Sequence, residues 1–134
     1  MAASVTIRST GRDGVYAGSS GAWTFESGPA SGPGPGSIDL LLSSLGTCTI
    51  AVVGHFMQRK GYATDKLEVI LTCELDASSN RYGAITLDLR LGDDLTEAQR
   101  RTIRAVAESC RIHNTLKNFA GVKLEIEGLP STLA

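Results

Sequence analysis

Aromatic residues are scarce in this 134-residue chain, 5% in all with a single Trp, and so is any excess of charge: 13 Lys and Arg against 14 Asp and Glu leave a formal net charge of -1. A near-neutral chain with scattered basic residues lacks the positive footprint that neutralises phosphates, so nucleic acid and anionic membrane are set aside as partners. MAASVTIRST has no charged leader followed by an apolar stretch, so no secretory signal is expected. The longest apolar run is interrupted by Ser43, Ser44, Gly46 and Thr47 and closed by His55, short of the roughly 20 residues of a transmembrane helix. A cytoplasmic location is the expectation.

Cysteine is sparse and odd in number. Cys48, Cys73 and Cys110 are widely spaced in a chain without an export signal, which argues against a disulfide framework and for thiols reduced at rest. Neither CxxC nor HExxH occurs. Cys48, Cys110, His55 and His113 are ligand types without the local spacing of a zinc site, so no metal is expected. The segment GPASGPGPGS precedes an apolar run but lacks the lysine of a phosphate-binding loop.

What is present is hydrophobic patterning, with 42% apolar residues in a length that suits one domain over residues 1–134. SVTIRST alternates, with Val5 and Ile7 on one side and Thr6 and Arg8 on the other; turns at Asp13-Gly14 and around GSSG (18–21) lead to AWTFES. This predicts an antiparallel hairpin or meander. Residues 27–37, SGPASGPGPGS, are too rich in Gly and Pro for helix or central strand.

A long helix follows, with Ser37 as its cap, Asp39 in its first turn, Arg59 and Lys60 at its end and Gly61 as its stop. At about 23 residues it spans roughly 35 Å. It is apolar nearly all round from Leu40 to Val53 and demands burial on most faces, which points to a dimer. KLEVILTCEL and AITLDLRL predict two strands joined through DASSNRYG as a hairpin. Thr96 with Gln99 reads as a capping box, and Ile103, Val106, Ala107 and Cys110 recur at helical spacing, so a second helix ends near Cys110. IHNTLKNF is irregular or helical, and VKLEIEG closes the chain as a strand. The order β-β-α-β-β-α-β defines an α+β fold, with an antiparallel sheet covered by the long helix and a second one.

Cys73 shares strand parity with Leu67, Val69, Leu71 and Leu75 and reads as a small core hydrophobe. Cys48 differs. Gly46, Thr47 and Thr49 thin the packing around its sulfur and supply weak donors. Within its own helix nothing can activate it: Asp39 is nine residues before it, and His55, seven after, lies about 10 Å along the axis. An activating group must come from another segment or subunit, and Arg12 in the turn-forming GRDG is a candidate. His113 travels with Cys110, three residues on, whereas His55 reads as a polar residue at an emerging helix end.

GRDG, then PGS-D-LLLSSLGTC opening a long helix, then ESCRIHNTL together resemble the family of osmotically inducible protein C (OsmC) and organic hydroperoxide resistance (Ohr) proteins, in order over nearly the whole chain. The resemblance implies an intertwined homodimer with two sites at the subunit interface. By motif, Cys48 matches the peroxidatic cysteine, Cys110 the resolving one and Arg12 the arginine that helps hold the thiolate.

The implied activity is thiol-dependent reduction of organic hydroperoxides, with an external thiol or dithiol as reductant and no cofactor. The chain departs from the Ohr branch at Ile38, where that branch has glutamate. Asp39 matches an acidic residue of other OsmC-like branches and is carried as a site residue. Arg111 stands where the family usually has proline after the cysteine. The competing reading is a non-catalytic OsmC-like dimer that binds a small apolar ligand or senses redox state through its thiols.

Overall fold

The computed structural model describes residues 2–29, 32, 34–130 and 132–133. The chain divides into two compact units, Met1–Ser44 and Leu45–Ala134.

In the first unit the alternating segments form an antiparallel meander of β1 (Thr6–Ser9), β2 (Tyr16–Ser20) and β3 (Trp23–Ser27), in that spatial order. Thr6 stands opposite Ser19, and Tyr16 opposite Ser27. The first reversal uses Asp13-Gly14 as expected, with the Val15 N–H donating to the Arg12 carbonyl at 3.2 Å. The second is displaced from GSSG. β2 continues through Ser20, and Gly21-Ala22 makes a two-residue turn with Gly21 at φ 56°. Gly18 lies opposite Phe25, and a Cβ there would run into the aromatic ring, so glycine lets the ring lie across the neighbouring strand. Period-2 patterning located these strands, but Ile7 and Trp23 stay 53% and 79% exposed.

The Gly/Pro segment is irregular where described; Ala30, Ser31 and Pro33 lie outside the described residues. Helix α1 (Ser37–Arg59) begins at Ser37 itself, so the cap lies one residue earlier than expected. Gly36 takes the cap position, its carbonyl accepting from the Leu40 N–H at 3.1 Å. Asp39 reaches back to accept the Gly36 N–H at 3.0 Å, so the longer carboxylate arm satisfies the orphan donor in place of Ser37. The helix ends in a Schellman motif: Tyr62 N–H donates to the Met57 carbonyl, Gly61 N–H to that of Gln58, and Gly61 sits at φ 76°. Residues 45–59 of α1 belong to the second unit.

There β4 (Glu68–Thr72) pairs antiparallel with β7 (Thr86–Arg90), Glu68 opposite Arg90 and Thr72 opposite Thr86. The connection contains a smaller ladder of β5 (Leu75–Asp76) and β6 (Arg81–Tyr82), closed by an Asx turn in which Asp76 accepts from Ser78. Val69, Leu71, Leu87 and Leu89 share the half-buried face.

α2 (Glu97–Glu108) opens with the expected capping box: Gln99 N–H to Thr96 Oγ1 at 3.2 Å, Thr96 N–H to Gln99 Oε1 at 2.8 Å. α3 (Arg111–Lys117) follows almost at once. The expected closing strand shrinks to β8 (Lys123–Leu124), paired with β9 (Thr132–Leu133). Val122, Leu124 and Ile126 are all about half exposed.

The core joins Val53 and Met57 of α1 to Ile103 of α2, flanked by Phe56, Leu67, Leu89, Leu91 and Val106. Each fully buried aliphatic side chain contributes roughly 1.5–3 kcal/mol. α1 is buried along one stripe, Leu45, Gly46, Thr49, Val53 and Met57, rather than on most faces. By length and composition it is apolar enough to cross a membrane, with a mean hydropathy of 1.7, because its serines, threonines and glycines are nearly neutral on that scale. Its run therefore does not fall short as the sequence reading had it, although its buried stripe packs into a core.

Candidate functional site

Cys48 lies one position off the buried stripe of α1 and is half-buried. The stripe comes close to the sheet just before it: a Cβ at Gly46 would meet Leu71 Cδ1 at 2.7 Å and Val69 Cγ1 at 3.7 Å. Glycine here sets the distance of the helix from β4, and with it the position of Cys48 two residues further along the helix. Thr49 is buried, and its hydroxyl donates to the Leu45 carbonyl at 2.8 Å. It is thus bonded within its own helix, contrary to the expectation that it is a donor for the sulfur.

Cys110 does not continue the second helix. α2 stops at Glu108 with Ser109 as its C-cap, and Cys110 is extended, φ -62° and ψ 143°, as the N-cap of α3. Its Sγ accepts the His113 N–H at 3.4 Å. Helical spacing with Ile103 and Val106 concealed this break because neither Gly nor Pro punctuates ESCRIH. The cysteine does the capping that Ser or Asp performs elsewhere. It is completely buried.

The two thiols meet. Burial pushes the Cys48 thiol up, but it is outweighed by a hydrogen bond with the Cys110 thiol, by the backbone N–H groups of Ile112 and Arg111, and by the positive charge of Arg111. The net direction is down, below the usual thiol range. Donors from a second helix thus supply what α1 could not. The arrangement holds a half-buried sulfur enriched in thiolate beside a second, buried thiol.

The other candidate residues are placed as follows. Arg12 lies in the first unit and pairs with Glu26 at 3.3 Å, both side chains half or more exposed. Asp39 holds the start of α1 through Gly36. His55 is exposed on α1, and Cys73 is half-buried beyond β4, in the parity expected of it.

His113 is half-buried on α3. With Thr49, Leu87, Leu89, Ala107 and Arg104 it lines a cavity of about 460 Å³. Among the described residues no group of three or more His, Cys, Asp or Glu side chains is placed to hold a metal ion. Sequence reasoning missed Arg111 as a cation beside the thiol; its one signal was a basic residue where proline usually follows the cysteine.

Two thiols brought together from a long helix and from a helix–helix junction, above a short antiparallel sheet, define a paired-thiol α+β protein. The chain belongs to the OsmC family: the model of OsmC-like proteins matches residues 28–127. Three solved structures share the fold. An OsmC-like protein from Mycoplasma pneumoniae is 18% identical, with 90% of each chain covered and a TM-score of 0.70. A protein from Psychrobacter arcticus 273-4, whose name refers to osmotic stress and detoxification, is 15% identical over 86% of this chain and 88% of that one, with a TM-score of 0.72. A hypothetical protein from Aquifex aeolicus VF5 is 15% identical over 89% of each chain, with a TM-score of 0.71. At these identities the likeness shows the fold alone. No curated protein matches the chain in sequence.

Proposed function

We propose that this OsmC-family protein is a thiol-dependent peroxidase that reduces organic hydroperoxides to alcohols. The observation that carries the reading is the juxtaposition of Cys48 and Cys110, with the Cys48 thiol held below its usual range. The Cys48 thiolate attacks the terminal oxygen of ROOH, the O–O bond breaks, and RO⁻ takes a proton to leave as ROH. Cys48 becomes a sulfenic acid. The Cys110 thiol condenses with it, water leaves, and a Cys48–Cys110 disulfide forms, which an external thiol or dithiol returns to the reduced state.

Arg12 and Asp39 complete this reading as site residues. The Arg12–Glu26 pair is exposed, and such pairs contribute little, so the guanidinium is free in energetic terms to exchange Glu26 for a thiolate. We assign the working form to a cytoplasmic homodimer in which the chain acts as one domain. Large exposed side chains in each unit favour a partner: Trp23 at 79% in the first, Phe119 at 60% and Leu129 at 64% in the second.

The cavity beside Thr49, floored by Leu87 and Leu89, favours a second reading, a dimer that binds a small apolar ligand without turnover. Stoichiometric alkyl hydroperoxide added to reduced protein, followed by disulfide mapping, separates the two. Rapid formation of a Cys48–Cys110 bond, absent in Cys48→Ser, supports the peroxidase; oxidation no faster than that of a free thiol overturns it.

A further inference from the structure

On α2, Arg100, Arg104, Ala107 and Glu108 recur at the spacing of successive helical turns and line one side of the cavity of about 460 Å³, whose apolar lining is Leu87 and Leu89 of β7 and Leu91 just beyond it. Arg100 is half-buried. Its Nε donates to the Leu95 carbonyl at 3.3 Å and its Nη2 to the Gly92 carbonyl, which fixes the guanidinium beside Leu91. Nη1 has no hydrogen-bond partner among the described residues, yet it is not sealed in the interior. No carboxylate pairs with Arg100 among the described residues, whereas Arg12, Arg90, Arg101 and Arg104 each have one.

A guanidinium held by neutral carbonyls beside leucine side chains keeps its whole positive charge where water is partly excluded, and an anion is the group that relieves it. We propose that this cavity binds a monocarboxylate with an apolar tail, Arg100 taking the carboxylate and Leu87, Leu89 and Ala107 the tail.

The charge of the lining selects the ligand. Arg104 and Glu108 are paired at 3.4 Å and offset each other, so Arg100 leaves a single positive charge in excess. His113 is the other titratable group on the lining, and its protonation would add to the attraction for an anion. One charge suits a carboxylate, whose oxygens can accept from Nη1 and Nη2 together; a phosphate dianion would need a second cation and would meet the Glu108 carboxylate. From Arg100 to Ala107 the helix advances about 10 Å, a length that an eight-carbon chain such as octanoate fills. The volume also lies within the roughly 300–1,000 Å³ of small-ligand pockets.

The inference shares its cavity with the apolar-ligand reading above but does not rest on reaction at Cys48. Calorimetric titration of the full reduced chain with octanoate, octanol and octylammonium tests it. Octanoate should saturate at one per chain and bind about tenfold or more tighter than octanol, a difference of about 1.4 kcal/mol, with octylammonium weakest. Arg100→Gln should remove that preference and leave octanol unchanged, and Arg100→Lys should restore part of it. Because Arg100 also ties down Gly92 and Leu95, Ala107→Leu supplies a variant that fills the cavity and leaves those bonds in place; it should abolish binding of both octanoate and octanol.

Octanol binding as tightly as octanoate overturns the proposal and leaves the apolar-ligand reading standing. Absence of saturable octanoate binding, or octanoate affinity unchanged in Ala107→Leu, also overturns it. A chain that binds octanoate as expected yet is inert to hydroperoxide loses the peroxidase reading and keeps this one.

Discussion

The thiol of Cys48 on α1 lies within hydrogen-bonding reach of the thiol of Cys110, the buried N-cap of α3. That relationship makes each cysteine's chemistry depend on the other. Cys48 is half-buried and Cys110 fully buried, so in the proposed reaction Cys48 is the thiol that meets the hydroperoxide and Cys110 the one that follows.

The first prediction concerns pH. The Cys48 thiol is lowered in the folded state, so the folded chain binds fewer protons there than the unfolded chain between the two pKa values. Stability from this group is present above the unfolded pKa and is lost as pH falls through the folded one. Denaturant unfolding across the neutral to alkaline range should show this rise with pH for the native chain and a flatter profile for Cys48→Ser.

Cys110→Ser removes the thiol partner of Cys48 and keeps an oxygen that can cap α3. Alkylation at Cys48 should move to higher pH, while melting changes little, because serine is a good N-cap. Hydroperoxide should then leave Cys48 as a sulfenic acid, trapped by dimedone and seen by mass spectrometry. Recovery of an intramolecular disulfide through Cys73 would contradict the assignment of Cys110.

Arg12→Ala should slow oxidation of Cys48 by alkyl hydroperoxide more than tenfold, on the order of 1.4 kcal/mol of lost stabilisation. Stopped-flow or competition kinetics measures this. An unchanged rate removes Arg12 from the site.

Gly46→Val places a branched side chain against Leu71 and Val69, where even a Cβ meets Leu71 Cδ1 at 2.7 Å. Overpacking of this kind costs about 1–3 kcal/mol. Urea unfolding should give that loss, and the displaced α1 should also slow Cys48–Cys110 disulfide formation.

Trp23 gives a direct reading of assembly, as it is the single tryptophan and 79% exposed in the lone chain. A homodimer by sedimentation, with Trp23 emission blue-shifted from that of exposed indole, is the expected result. A monomer with fully exposed indole emission would remove the dimer from the proposed function.

The sequence by itself determined the elements whose causes are local. Val5 and Ile7, Trp23 and Phe25, and Leu67 to Leu71 alternate because successive strand side chains point to opposite faces; Gly61 ends α1 because its positive φ suits glycine; Thr96 and Gln99 cap α2 through each other's backbone. Tertiary structure decided what depends on residues far apart in the chain. Spacing alone puts Cys110 on the face of Ile103, yet it forms the start of another helix, since capping depends on which backbone donors are left over. Periodicity likewise shows that nothing on α1 can activate Cys48, but only the meeting of α1 with the α2–α3 junction names Cys110, Ile112 and Arg111 as the groups that do. Electrostatics falls off with distance in space, and sequence separation does not measure it.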